Sequence, residues 1–313
     1  MNVKYIKQIA SDEIKEKIFD LVIASSGYEV RASYISSVIN PCIENKVVFA
    51  FNKYEDKKIR KINDSIFKDL NYKSIKSGGS DSTAIINYID EFIKSFSGNT
   101  LSILVDYSSM TRIWYGSIIN YFKHTIIENK TVKVYFSYSC AELHKPSEKE
   151  PKIDYFSPID GFCSLSIPFV PTALITGLGY ETNKSFGLKE FFDAEVLYLF
   201  YTEGNDFTKH IEKKNKELLL HTPSECKISY NMEDILLTKT MLYDLCLSLK
   251  NKYRIIIAPC GPKIFTLISF FVASEMDSVD VWRISSDNID EDVDEDEYRV
   301  PNGKIISCEI CYQ

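Results

Sequence analysis

Short apolar runs alternate along this chain with segments whose apolar residues recur at helical spacing. In the first half, Leu21–Ala24 and Val47–Phe51 have the length and β-branched content of strands. Ile59, Ile62, Ile66, Phe67 and Leu70 mark a helix, and Tyr72–Ile75 reads as a short strand. Ile85, Ile86, Ile89, Phe92, Ile93 and Phe96 mark a second helix. Leu101–Val105 is an apolar run of the kind expected for a strand covered on both faces. Ile113, Trp114, Ile118, Tyr121 and Phe122 give a third helix, and Val132–Phe136 a further strand. The second half repeats the alternation. Strands are expected at Ala173–Thr176, Val196–Tyr201, Lys227–Tyr230, Arg254–Ala258 and Val279–Ile284, with helices near 207–220, 235–249 and 264–273. Strands alternating with helices predict parallel sheets joined by right-handed crossovers. The fold class expected is α/β, as two tandem Rossmann-like three-layer sandwiches with mainly parallel sheets, related by internal duplication.

The duplication rests on order and spacing. Gly27-Tyr28-Glu29 and Gly179-Tyr180-Glu181 stand 152 positions apart, each at the end of its half's first strand. The matching strands that follow keep offsets of 147–154, which makes two domain-sized copies and not a solenoid. The expected domains are 1–142 and 172–313. A linker at 143–171 carries Pro146, Pro151, Pro158, Pro168 and Pro171 and a charged patch from Lys145 to Lys152. The acidic stretch Asp287–Glu297 reads as a solvated loop, because it lacks the spacing and central glycine of an EF-hand. Lys304–Tyr312 is expected to add a last strand.

Composition narrows the classes. At 313 residues and 45% apolar content the chain can bury two ordinary cores. A formal net charge of −7 argues against broad nucleic-acid binding, while leaving room for a local cationic pocket for a small anion. The eight cysteines are scattered through apolar runs and read as reduced buried thiols. Cys308 and Cys311 form a lone Cys-x-x-Cys without the second pair of a zinc site. No His pairing with metal-ligand spacing is present, so no metal is expected. No signal-peptide core or membrane-length apolar run is present, and a cytoplasmic protein is expected.

Candidate chemistry sits in the strand-to-helix turns, where open α/β sheets bind ligands. The turn after the central strand is Asp106-Tyr107-Ser108-Ser109-Met110-Thr111-Arg112 in one half and Pro259-Cys260-Gly261-Pro262-Lys263 in the other. Aligning the following helices sets Arg112 opposite Lys263. Ser108 or Ser109 is expected to cap the first helix, and Pro262 suits the start of the second. Each turn sets a cation where the helix dipole is already positive, a cost that an anion on the exposed amides would relieve. The bland alternative is that both side chains reach solvent or a carboxylate.

A second pair of turns follows each first strand. Ser25, Ser26, Gly27, Glu29 and Arg31 make up one, and Gly179 and Glu181 the other. The glycines permit close backbone approach. Glu29 and Glu181 either contact a ribose or base, act as a catalytic base, or simply cap the next helix. A third string, Ser77-Gly78-Gly79-Ser80-Asp81-Ser82, occurs once and matches the SGGxDS loop of ATP pyrophosphatases, although the strand before it is weak. A plain loop with Ser80 or Asp81 as cap explains it equally.

The turn ending in Thr111-Arg112, with Gly261-Pro262-Lys263 as a degenerate copy, resembles that of CARF-type Rossmann domains from prokaryotic antiviral systems. The resemblance departs at Ser109-Met110, where a glycine pair is usual. It implies a site for a signalling nucleotide or cyclic oligonucleotide, either sensed or cleaved in the manner of a ring nuclease. Ser108, Ser109, Thr111, Arg112, Gly261 and Lys263 would bind phosphate, with Asp106 in the same turn. It also implies a homodimer or a defence-system partner protein, and no obligatory cofactor. The alternatives are an ATP- and Mg-dependent ligase or transferase using Ser77–Ser82, or a non-catalytic interaction subunit.

Overall fold

The protein is described here by a computed structural model, which covers residues 1–127, 129–142, 155–164, 169–179, 184–203, 206–285 and 299–313. The chain divides into two compact units. One comprises Met1–His144 together with Asp290–Gln313, and the other Lys145–Ile289.

The first unit runs β1 (Val3–Ile9), α1 (Ser11–Glu16), β2 (Leu21–Ser26), α2 (Tyr34–Val38), β3 (Lys46–Phe51), α3 (Lys58–Asp69), β4 (Lys73–Ser77), α4 (Thr83–Ser95), β5 (Thr100–Asp106), α5 (Arg112–His124) and β6 (Thr131–Ala141). The second runs β7 (Tyr155–Pro158), β8 (Thr172–Gly177), α6 (Lys184–Phe191), β9 (Ala194–Thr202), α7 (Asp206–Lys214), α8 (Lys216–His221), β10 (Lys227–Tyr230), α9 (Ile235–Leu249), β11 (Arg254–Pro259), α10 (Lys263–Glu275) and β12 (Val279–Ser285). The last strand, β13 (Pro301–Tyr312), belongs to the first unit, between β1 and β6.

Each unit is an α/β, Rossmann-like sandwich around a mainly parallel sheet. The first sheet has the order β1-β13-β6-β5-β2-β3-β4 and the second β10-β9-β8-β11-β12-β7. Read from β4 and from β10, the five parallel strands follow one order in both. That order is shared by many doubly wound folds, so it does not by itself establish duplication.

In the first unit, Val22, Ala24, Val48, Leu104 and Tyr135 present one face of the sheet to Ile14, Ile35 and Phe67 of α1–α3. The other face meets α4 and α5, where Phe49 packs edge-on to Tyr88 and Trp114. In the second unit, Leu174, Leu197, Leu199, Ile256 and Ala258 cluster with Leu188, Ile211 and Leu218 of α6–α8. α10 is buried at every position from Ile264 to Ala273, as its uninterrupted apolar run predicts.

Three expectations need correction. The chain's last strand was expected in the second domain, but β13 pairs antiparallel with β6 through nine register partners. Strand pairing is a long-range choice that local periodicity does not encode. Part of the expected linker, β7, is a strand of the second sheet, antiparallel to β12. The helix expected over 207–220 is broken at Asn215, whose buried amide donates to the carbonyls of Gly179 and Ile211. The acidic stretch and the first part of the linker lie outside the described residues. No helix among those described is long and apolar enough to cross a membrane.

Candidate functional site

In a doubly wound sheet the strand order reverses between the first and fourth parallel strands, and a crevice opens beyond their carboxyl ends. In the first unit those strands are β2 and β5. Their ladder pairs Leu21–Ile23 with Ile103–Val105 and goes no further. Over Ala24–Ser26, β2 stays paired with β3 alone, through Val48–Ala50. β5 itself ends one residue later, at Asp106, so the last three residues of β2 run on past the shared ladder. In the second unit the equivalent ladder, β8 with β11, is paired from Thr172 with Arg254 to Gly177 with Pro259, the last residues of both strands.

The turns singled out from sequence meet at the first crevice. A Cβ built on Gly27 would lie 3.3 Å from the Phe51 ring and 3.8 Å from Cβ of Ser109. One on Gly79 would lie 3.2 Å from Thr111 Cγ2 and 3.4 Å from Phe51. Phe51 stacks on Trp114 at 4.5 Å, with the rings 12° apart. Gly27, the 78–82 loop and the Ser109–Thr111 turn thus share one aromatic floor.

Polar contacts hold the turns in place. Arg31 Nε donates to Glu29 Oε2 at 2.8 Å, and Ser109 Oγ donates to the same oxygen at 3.1 Å. Arg31 Nη1 donates to Tyr138 Oη at 2.7 Å and to the Ser139 carbonyl at 3.0 Å. Burial opposes the guanidinium charge, but Glu29 and Tyr138 outweigh it and hold Arg31 protonated. Asn63 Nδ2, from α3, donates to the carbonyls of Gly27 and Glu29 at 3.0 and 2.9 Å. Ser26 Oγ donates to Asp64 Oδ1, which also receives Arg60 Nε.

Sequence periodicity missed the support from α3. It picked out Phe67, which is buried, but also Ile62, which is exposed, and passed over Arg60 and Asn63 on the buried face. One signal was available. Asn63 and Asn215 stand 152 positions apart, as Gly27 and Gly179 do, and each asparagine donates to its own unit's glycine carbonyl at 3.0 Å.

The turn before α5 differs in detail from expectation. Thr111 is the N-cap, its Oγ1 accepting from Trp114 N. Neither expected serine serves. Ser108 Oγ donates to Asp106 Oδ1 and accepts from Ser139 N, and Ser109 is turned toward Glu29. Thr111 Oγ1 donates to the Gly79 carbonyl at 2.8 Å. Arg112 and Lys263 are the first residues of α5 and α10, the matched positions the alignment assigned them.

Ser25 lies in the stretch of β2 that β5 leaves unpaired. It is 1% exposed, and its hydroxyl has no hydrogen-bond partner among the described residues. Glu29 and Arg31 are almost fully buried and joined to each other. That geometry makes Arg31 a brace for the turn and ties Glu29 to the brace.

The second unit is closed where the first parts. A Cβ on Gly261 would stand 2.6 Å from the Leu178 carbonyl oxygen, and one on Gly177 2.5 Å from the Phe265 ring. Glu181 lies outside the described residues. Gly261→Ala is expected to cost about 1–3 kcal/mol, because its obstacle is backbone and not a flexible side chain. Gly187→Ala, with nothing within 4 Å of the new methyl in α6, should be neutral or stabilising. Paired urea melts measure the difference, and equal midpoints would contradict the close approach.

The Ser77–Ser82 loop is pinned through its carbonyls. Trp114 Nε1 donates to Gly78 O at 3.2 Å and to Asp81 O at 2.9 Å. Asp81 Oδ1 accepts from Thr83 N at the start of α4.

No family profile matches the chain, and no curated protein sequence does. Among solved structures it is similar to the cytoplasmic domain of a prokaryotic cation chloride cotransporter, at 8% identity over 86% of this chain and 96% of that one, with a TM-score of 0.25. It is also similar to phosphoethanolamine N-methyltransferase 1 of Haemonchus contortus, at 6% identity over 94% and 88% of the two chains, with a TM-score of 0.23. Similarity this slight carries no argument about function.

Proposed function

We propose that the first unit binds a small phosphorylated ligand, a nucleotide in the first instance, in the crevice beyond β2 and β5. The observation that carries the reading is that the last three residues of β2 run on past its ladder with β5, beside the N-terminus of α5. In this reading the first amides of α5 and the Arg112 guanidinium take the phosphate. Ser25 and Ser109 face the sugar or base. Glu29 and Arg31 hold the turn and do no proton transfer. The zipped ladder of the second unit makes Lys263 the lesser site. The CARF resemblance makes cyclic oligonucleotides of antiviral signalling the first compounds to try, and binding is the activity assigned. The pinned carbonyls of the Ser77–Ser82 loop lend no support to the ATP-dependent alternative.

A thermal-shift panel of mono-, di- and trinucleotides and cyclic oligonucleotides tests this. At least one compound should stabilise the protein. Arg112→Ala should weaken it roughly 10- to 150-fold, the worth of a charge-assisted phosphate contact. Lys263→Ala should leave affinity within a few-fold. A panel without any shift, or a loss confined to Lys263→Ala, would overturn the reading.

A further inference from the structure

Each unit ends its parallel core with one antiparallel strand. In the first, β13 lies against β6, with Ser307 opposite Ser137 and Ile305 opposite Ser139. In the second, β7 lies against β12, with Ser157 opposite Arg283. The order along the chain is the reverse of what a simple tandem repeat gives. β7 follows β6 but pairs with β12, while β13 follows β12 but pairs with β6. Shifted by the repeat offsets of 147–154, Tyr155–Pro158 falls on 302–312, inside β13. The two strands occupy one position in the repeat, and each lies antiparallel to the last strand of a parallel core, with β13 covered on its far side by β1 and β7 at the sheet edge.

We infer that β7 and β13 are equivalent strands that have traded sheets, so that the molecule is a strand-exchanged duplication. The Asn63–Gly27 and Asn215–Gly179 contacts, both offset by 152, support the equivalence of the units independently of strand order. Chain length supports the exchange as well. Residues 142–154 separate β6 from β7, and residues 286–300 separate β12 from β13. A hairpin would need about 2–5 residues.

The exchange reaches the candidate site. The carbonyl of Arg299 accepts from Arg31 N at 3.1 Å, that of Val300 from Glu142 N at 2.8 Å, and that of Gly303 from Tyr34 Oη at 3.3 Å. The strand that follows the second unit's core thus braces the turn carrying Glu29 and Arg31 in the first.

Disulfide trapping in the full-length chain tests this independently of any ligand. Directly opposed residues of antiparallel strands lie within disulfide reach. Four double variants are made: Ser137→Cys with Ser307→Cys, Ser157→Cys with Arg283→Cys, Ser137→Cys with Ser157→Cys, and Arg283→Cys with Ser307→Cys. After oxidation, peptide mass spectrometry of the monomer should find positions 137 and 307 joined, and 157 and 283 joined. The other two pairs, which an unexchanged repeat would bring together, should stay open. Links between 137 and 157 or between 283 and 307 would overturn the inference. So would a 137–307 link found only in covalent dimers, which would place the exchange between chains. If the Ser137 pair does not fold, Ser139→Cys with Ile305→Cys reads the same register. A crosslink result of either kind leaves the nucleotide reading untouched, and a silent nucleotide panel leaves the exchange untouched.

Discussion

Arg31→Ala should cost about 3–5 kcal/mol of folding stability, a large part of what an ordinary domain has. The side chain is 1% exposed and its partner Glu29 10%. Removing the guanidinium takes from the buried Glu29 carboxylate the cation that Arg31 supplies and leaves it the Ser109 hydroxyl as a neutral donor. It also takes a donor from Tyr138 Oη and from the Ser139 carbonyl, and a cation from 4.8 Å above the Tyr138 ring. A buried charge that loses its salt-bridge partner costs far more than the pair contributes, so the double variant Arg31→Ala, Glu29→Gln should recover much of the loss. Urea unfolding of the wild type, the two single variants Arg31→Ala and Glu29→Gln, and the double variant measures the cycle. Arg31→Ala within about 1 kcal/mol of wild type, as for an ordinary surface change, would mean that the brace does not exist as described.

Trp114→Ala should be comparably severe, at about 3–5 kcal/mol. Trp114 is fully buried, stacks on Phe51 and donates its indole hydrogen to the 78–82 loop. Losing it opens a cavity below Gly27 and Gly79 and frees two carbonyls at once. Trp114→Phe separates these effects. The ring still fills most of the space, so the stability loss should fall to about 1–3 kcal/mol, the cost of hydrogen bonds left unmade. Amide exchange at Asp81–Thr83 should rise in Trp114→Phe if the indole pins the loop. Unchanged exchange there, with a large stability loss, would assign Trp114 to packing alone.

The elements read best from sequence are those whose burial is local and complete. Leu21–Ala24 and Leu101–Val105 became the neighbouring central strands of the first sheet, and the apolar run at 264–273 became a buried helix. Arg112 and Lys263 start their helices because turn length and helix onset are short-range features. What escaped is held by long-range polar contacts. Asn63 is buried for hydrogen bonds to the turn after β2, and Arg60 for one to the end of β3, and a hydrophobic stripe announces neither. Tyr138 and Ser139, the acceptors for Arg31, lie 107 and 108 positions along the chain. The sheet that β13 joins is set by a partner far off in sequence. Thr111 took the cap from Ser108 and Ser109 because those serines answer to Asp106, Ser139 and Glu29, and the last two lie 31 and 80 positions from the serines they meet.

The central claim is that the first unit's parted strands form the ligand site and the second unit's zipped strands do not. Amide hydrogen exchange with and without the stabilising nucleotide addresses both units in one measurement. Ligand should slow exchange at 25–31 and 107–114 and leave 172–179 and 259–265 as they were. Protection confined to 172–179 and 259–265, or equal protection in both units, would contradict it.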